Sequence, residues 1–243
     1  MELVGYAALI AVGILLGVMG GGGSILSVPI LVYLFSLDVV LASSYSLFIV
    51  GTTSLIGAAL KHQDRFVHVP AMVQLGIPSL LTTFCTRKWI VCSIPDVVWV
   101  TNSFSVSKRS LLLSVFAIVL ILSSILMINR HRMKEDGAKR NNRFRMSVAG
   151  LLIGLLSGLA GVGGGFLILP ALVLFAGLRF AVAVGSALPV IAMNSLVGFL
   201  GDAISHPINW MFLISITLLA TAGIFVGNVV ACRISSNELR RSF

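Results

Sequence analysis

The stretch that decides the fold is residues 13–29, GILLGVMGGGGSILSVP, because the chain repeats it at residues 154–170 as GLLSGLAGVGGGFLILP. The two copies align without a gap at an offset of 141 residues, which carries Gly13 onto Gly154 and Pro29 onto Pro170. Identities continue in this register beyond the quoted segments. Agreement over such a length indicates that one structural unit occurs twice in the chain.

The composition indicates what kind of unit is repeated. The chain is 58% hydrophobic and 10% charged, with a mean hydropathy of +1.06, far outside the range of a soluble domain. We therefore predict an all-α polytopic membrane protein. The net charge of +9 does not indicate nucleic-acid binding, because the basic residues flank apolar runs and act as topology signals. The first residues lack the basic region of a cleaved signal peptide, so the first apolar run is expected to be retained.

The glycine clusters at residues 20–23 and 163–165 interrupt apolar runs that would otherwise be helical. Adjacent glycines in a helix interior each cost about 1 kcal/mol relative to alanine, so each cluster is expected to break a helix. The run after the first cluster, residues 24–36, is too short to cross a bilayer. Irregular backbone at membrane depth is tolerated only inside the protein or beside a water-filled cavity. Both breaks are therefore predicted to face the protein interior.

The apolar runs, eight to nine in all, divide into two repeats, residues 1–129 and 146–243, joined by a basic linker at residues 130–145. The positive-inside rule places this linker in the cytoplasm. The first repeat contains an odd number of crossings, so the second is predicted to run inverted, as in many secondary transporters. The offset also predicts a last helix beginning near position 252, so the second repeat is expected to lack its final helix.

The two glycine breaks are the leading candidates for a binding site. Backbone N–H groups at the start of a helix can hold an oxyanion without a cationic side chain. Polar groups on the long spans that follow each break are the second candidates. The predicted substrate-binding residues are Gly20, Gly21, Gly22, Gly23, Ser24, Thr52, Thr53, Gly163, Gly164, Gly165, Asn194 and Ser195.

Each candidate also has a structural interpretation. The spaced glycines, Gly13 with Gly17 and Gly154 with Gly158, are typical of close helix packing. Hydroxyl groups in an apolar helix often bond the preceding turn or a neighbouring helix. A membrane-embedded Asn194 has more hydrogen-bonding groups to satisfy than a serine or threonine has. The sequence does not decide between a binding site and a helix contact for this residue.

Charged groups are expected only at the ends of spans. Asp38, Asp64, Asp96 and Asp202 are all assigned to loops or span ends, and no basic residue is predicted deep within a span. Since cation pumps and proton relays usually carry an intramembrane acid, this pattern favours an anionic or neutral substrate. Neither glycine cluster matches a Walker or dinucleotide-binding motif. We predict no enzymatic activity and no catalytic residue, metal site or cofactor.

The doubled motif, G-x3-G-x2-G-x-G-G followed by proline, resembles the sulfite exporter TauE/SafE family of bacterial transporters. The segment HPINW at residues 206–210 and the span containing Gly223 and Gly227 are similar to the second half of that family. The resemblance implies an inner-membrane transporter of sulfite, sulfoacetate and related sulfur-containing anions. In the first repeat, Thr82 and Thr86 replace the two glycines, and Arg87 with Lys88 occupy positions that are membrane in the second repeat.

The sequence therefore predicts alternating-access transport of a small oxyanion across the bacterial cell membrane, with the lipid bilayer and a small anion as partners. A non-transporting membrane scaffold and a passive anion channel remain alternatives. Residues 89–100 fit either an interfacial segment or a short part-inserted helix. The identity of the anion is undetermined, and a homo-oligomer is left open.

Overall fold

The computed structural model describes residues 2–19, 24–61, 67–91, 93, 97–101, 104–129, 143–178, 180–204 and 207–233. These ranges are mainly helical, and the π-helical segment Thr86–Val91 directly continues α4. Two short strands, β1 (Val97–Thr101) and β2 (Phe104–Ser107), pair antiparallel. The α-helices of the described part are α1 (Glu2–Met19), α2 (Ser24–Tyr33), α3 (Val39–Lys61), α4 (Val69–Cys85), α5 (Lys108–Asn129), α6 (Arg143–Ala160), α7 (Gly165–Phe175), α8 (Phe180–Ala203) and α9 (Trp210–Arg233).

The surface and the interior confirm an all-α membrane protein. Within the described residues, four helical stretches are long and apolar enough to cross a bilayer: Val39–Leu60, Val69–Val91, Val182–Ala203 and Trp210–Val229. Large apolar side chains such as Leu81, Leu218 and Met211 are exposed, while many hydroxyl side chains are fully buried. This distribution suits a protein whose surroundings are hydrocarbon.

The second predicted helix break is confirmed. Helix α6 ends at Ala160 and α7 begins at Gly165, so the break spans residues 161–164 and Gly165 opens the next helix. Gly161, Gly163 and Gly164 have φ angles of 70°, 69° and 71°, a region that L-residues with a side chain rarely adopt. In the first copy, α1 ends at Met19 and α2 begins at Ser24, and Gly20–Gly23 lie outside the described residues.

The spaced glycines hold pairs of helices in close contact, as predicted. A Cβ added at Gly17 would lie 2.8 Å from the Ile224 carbonyl oxygen, and one at Gly13 would overlap the carbonyl of Ala220. These contacts join α1 to α9. Gly154 and Gly158 similarly appose α6 to α4, since a Cβ at Gly154 would overlap the carbonyl of Ser79 and one at Gly158 would lie 3.3 Å from the Thr83 carbonyl oxygen. Small residues allow the two backbones of each pair to approach.

Helices α3 and α8 form the antiparallel centre of the molecule. A Cβ at Gly51 would lie 2.8 Å from Leu196 Cγ, and one at Gly57 would lie 3.7 Å from Leu188 Cδ2. Residue numbers therefore rise along α3 as they fall along α8. Both helices are largely buried, and α7 packs against α8 while α2 packs against α3. The short helices α2 and α7 thus both pack on a buried central pair.

The ends of some elements differ from the predictions. Helix α6 begins at Arg143, so residues 143–145 of the predicted linker are helical, while the linker as the boundary between two repeats stays a prediction. Residues 89–91 end the π-helical segment and residues 97–100 lie in strand β1, and the interfacial placement of this segment stays a prediction. The loop predicted to start at Asp202 begins later, since α8 extends to Ala203.

Candidate functional site

The turn between α6 and α7 lies inside the protein, against serines of two helices. All residues from 161 to 165 are buried. A Cβ added at Gly163 would overlap Ser195 Oγ of α8, and one at Gly164 would lie 2.9 Å from Ser157 Oγ of α6. The glycines therefore bring bare backbone directly against these hydroxyls. The predicted site residues Gly163, Gly164 and Ser195 are close together in the structure.

Buried polar atoms without hydrogen-bond partners surround this turn. Asn194 and Ser195 are 0% exposed, and neither the Asn194 amide atoms nor Ser195 Oγ has a partner within the described part of the chain. Ser157 Oγ is also buried and unpaired there. An unmade hydrogen bond on a buried polar group costs about 1–3 kcal/mol, so such groups usually have a reason to be present. Together with the amino-terminal end of α7, they can receive a small polar ligand.

Unlike Ser157 and Ser195, the threonine hydroxyls of α3 have hydrogen-bond partners. Thr52 Oγ1 donates to the carbonyl oxygens of Phe48 or Ile49, and Thr53 Oγ1 donates to those of Ile49 or Val50. These are bonds to the preceding turn of α3 itself. These bonds match the structural interpretation of Thr52 and Thr53, and their binding role stays a prediction.

The first glycine cluster contributes only its flank to the described site. Ser24 begins α2 and is fully buried with a bonding partner. The predictions for Gly20, Gly21, Gly22 and Gly23 fall outside the described residues, and their binding role stays a prediction.

A buried ion pair near the turn was missed by the sequence reasoning. Arg87 of the π-helical segment and Asp202 of α8 are each 1% exposed, and Arg87 Nη1 donates to Asp202 Oδ2 at 2.8 Å. Both residues lie near the ends of their spans, as predicted, but Asp202 is the second-to-last residue of α8 and not part of a loop, and the burial of the two charges was not predicted. An ion pair removed from water must be held by further polar contacts to be tolerated.

Hydroxyls and the glycine turn complete the surroundings of this pair. Arg87 Nη1 also donates to Ser43 Oγ at 3.0 Å, and Ser44 Oγ donates to Asp202 Oδ2 at 2.6 Å. Both serines lie on the first turns of α3. A Cβ at Gly161 would overlap Arg87 Nη2 and Ser43 Cβ, so only glycine allows the turn to touch the guanidinium group. The same turn thus contacts the ion pair at Gly161 and the unpaired serines at Gly163 and Gly164.

One signal in the sequence could have revealed Arg87. The offset of 141 residues aligns Arg87 with Asn228, which lies well inside α9. A basic residue aligned with the interior of an apolar helix is expected to be buried. Asp202 carried a weaker signal, because its counterpart at the same offset is Lys61, at the end of α3.

A small crevice lies at positions that the offset of 141 residues relates to this cluster. Its lining includes Ser54, Gly57 and Asn228, which the offset aligns with Ser195, Gly198 and Arg87. The crevice lies between α1, α3, α8 and α9 and not at the α6–α7 turn. In this crevice the neutral Asn228 occupies the position that the offset aligns with the cation Arg87.

A helical membrane protein with paired short helices, a glycine turn buried at their junction and a buried ion pair has the features of a membrane transporter. The model of the sulfite exporter TauE/SafE family matches residues 6–243, so the chain belongs to this family. The resemblance inferred from the doubled glycine motif is confirmed. Membership of this family indicates a membrane transporter.

Curated relatives have matching descriptions. The chain is 27% identical over 203 residues to a probable membrane transporter protein of Methanocaldococcus jannaschii, covering 79% of this chain and 71% of the relative. It is 26% identical over 236 residues to a probable membrane transporter protein of Xylella fastidiosa strain Temecula1, covering 93% and 84%. The match to the probable membrane transporter YunE of Bacillus subtilis is 26% over 133 residues, 49% of each chain. No solved structure matches the chain significantly.

Proposed function

We propose that the protein is a secondary transporter of small sulfur-containing anions, such as sulfite and sulfonates, and that the α6–α7 turn forms part of its binding site. The observation that carries the proposal is the set of buried polar atoms without partners in the described part of the chain: the hydroxyls of Ser195 and Ser157 against the turn, and the amide of Asn194 next to Ser195 in sequence. A sulfur oxyanion presents several acceptor oxygens. It therefore suits a site built from amide, hydroxyl and backbone donors.

Two inverted repeats, residues 1–129 and 146–243, provide the framework for this mechanism. The supporting observation is that corresponding helices make corresponding contacts: α1 packs on α9 as α6 packs on α4, each through a spaced glycine pair. Helices α3 and α8, which the offset relates, run antiparallel. An axis in the membrane plane relates such helices, and this is the arrangement of transporters that alternate between two faces.

The bacterial inner membrane is the proposed location, with the basic linker at residues 130–145 in the cytoplasm. The linker holds seven lysines and arginines against two acidic residues, which favours the cytoplasmic side under the positive-inside rule. In this orientation α3 starts outside and α8 starts inside. The buried ion pair then lies towards the outer ends of both helices.

Uptake into proteoliposomes tests the proposal. Labelled sulfite and sulfoacetate, with a carboxylate such as acetate for comparison, would be supplied with and without a proton gradient. We expect saturable uptake of at least one sulfur anion by the purified protein. A protein that inserts and folds but moves none of them would be a scaffold, and conduction without saturation would indicate a passive channel.

Leucine substitution at the turn locates the site. Gly164→Leu places a side chain against Ser157 at a position with φ of 71°, and we expect it to abolish uptake while membrane insertion persists. Gly22→Leu tests the first glycine cluster, at the position that the offset aligns with Gly163. Gly177→Leu is the matched control, because its φ is 62° and a Cβ there meets nothing within 4 Å. Sulfite uptake unchanged in Gly164→Leu would remove the turn from the binding site.

A further inference from the structure

Among the described residues, the Arg87 guanidinium group makes its hydrogen bonds through only one of its three nitrogens. Both hydrogen bonds of the guanidinium group, to Ser43 and to Asp202, come from Nη1. Arg87 Nε and Nη2 are buried and have no partner among the residues that the structure describes, and the same holds for Asp202 Oδ1. A guanidinium group placed only to neutralise a carboxylate would usually be bonded along a whole edge, as a two-point pair.

The unpaired edge of Arg87 lies beside the glycine turn. Nη2 is the atom that a Cβ at Gly161 would overlap, so this side of the guanidinium group contacts the backbone of the turn. Gly161 and Gly164 are three residues apart, which limits the distance between their Cα atoms to about 11 Å. The unpaired edge and the unpaired serines of the candidate site are therefore neighbours along one short, rigid turn.

The Nε and Nη2 atoms of arginine form the edge that binds carboxylate, phosphate and similar oxyanions through two parallel hydrogen bonds. In a water-poor interior this contact is stronger than at a surface. We propose that Arg87 is the anion-binding side chain of the transporter, receiving the oxyanion on its Nε–Nη2 edge, and that Asp202 is a positioning residue that holds Nη1. This inference rests on the proposed function. It adds the guanidinium group of Arg87 to the amide, hydroxyl and backbone donors of the proposed binding site.

Asp202 has a second consequence for the anion. Its carboxylate balances the buried positive charge of Arg87 when no anion is bound, and it repels an anion that approaches. Asn in its place can still accept from Nη1, but it removes this repulsion. We therefore expect opposite effects on anion affinity from substitutions at the two residues. A change at Arg87 weakens anion binding, and Asp202→Asn strengthens it.

Anion-dependent thermal stability of the purified protein in detergent is the test. The melting temperature would be measured against sodium sulfite concentration, with sodium chloride at equal ionic strength as reference, since a ligand that binds the folded state raises it by mass action. Arg87→Lys keeps the charge but loses the two-point edge, and we expect sulfite to bind at least about tenfold more weakly. Lys88→Gln is the matched control, because Lys88 is the adjacent cation and is exposed, and its sulfite affinity should equal that of the unmodified protein.

Asp202→Asn supplies the readout that a purely structural pair would not show. We expect a lower melting temperature without sulfite and a larger rise with it than in the unmodified protein, with binding about tenfold tighter. Equal sulfite affinity in the unmodified protein, Arg87→Lys and Asp202→Asn would overturn the assignment of Arg87. If Asp202→Asn yields no folded protein, Arg87→Lys against Lys88→Gln decides alone. Sulfite uptake that persists without dependence on Arg87 would refute this inference only, whereas absence of uptake in the unmodified protein would refute the proposed function.

Discussion

Gly163 offers the sharpest test of how the α6–α7 turn is built. Alanine at this position meets two separate penalties. Its φ of 69° is left-handed, which costs a residue with a side chain about 1–2 kcal/mol. Its Cβ would also overlap Ser195 Oγ, and overpacking of a close-packed interior costs about 1–3 kcal/mol. We therefore expect Gly163→Ala to destabilise the protein by about 2–5 kcal/mol.

Two further variants separate these penalties. Gly177→Ala has the same kind of backbone, with φ of 62°, but nothing within 4 Å of the new Cβ, so it should cost only about 1–2 kcal/mol. Ser195→Ala removes a hydroxyl that has no partner in the described structure and should change stability by less than about 1 kcal/mol. The double variant Gly163→Ala/Ser195→Ala loses the overlap, so most of the steric penalty should disappear.

The assay is the temperature at which the purified protein in detergent loses its monodisperse peak in size-exclusion chromatography. The expected order of stability is Gly163→Ala lowest, then the double variant, then Gly177→Ala close to the unmodified protein. The reasoning would be refuted if Gly163→Ala were as stable as Gly177→Ala. It would also fail if the double variant Gly163→Ala/Ser195→Ala were no more stable than Gly163→Ala. The turn would then not contact α8 through that serine.

Three other changes test separate contacts. Thr53→Val should leave sulfite uptake within about twofold of normal, because its hydroxyl bonds only its own helix, and a loss of uptake without loss of folded protein would return Thr53 to the site. Tyr45→Phe should lower stability by about 1 kcal/mol, since the Tyr45 hydroxyl accepts from the Asn209 backbone N–H at 3.0 Å, and an unchanged melting temperature would show that this bond contributes nothing. Gly154→Leu should prevent α6 from packing on Ser79 of α4 and reduce the yield of folded protein, whereas Gly177→Leu should not.

The elements that the sequence predicted well are those governed by local rules. Long apolar runs became α3, α4, α8 and α9, and the second glycine cluster interrupted a helix where adjacent glycines make helix formation costly. Gly13, Gly17, Gly154 and Gly158 pack helices together because small residues at this spacing form one narrow face. These features need only the chain's own spacing and composition.

The candidate site was only partly predictable, because its charged part joins residues 115 positions apart in sequence. A basic pair such as Arg87 and Lys88 after an apolar run normally marks an interface, and no residue near Arg87 in sequence indicates its partner Asp202 on another helix. The π-helical segment Thr86–Val91 extends α4 and carries Arg87 into the interior, and no local sequence pattern predicts it. Asn194 and Ser195 were candidates because polar groups stand out in an apolar helix, and the structure shows them buried, whereas only the structure shows that Thr53 bonds its own helix.

The central claim is that a small oxyanion binds the Nε–Nη2 edge of Arg87, beside the glycine turn at residues 161–165. A structure of the protein soaked with selenite, the selenium analogue of sulfite, tests it directly through the anomalous signal of selenium. We expect the selenium peak within hydrogen-bonding reach of Arg87 and of the turn, with Ser195 or Asn194 beside it. A peak only at the crevice near Asn228, or no peak at concentrations that support uptake, would contradict the account.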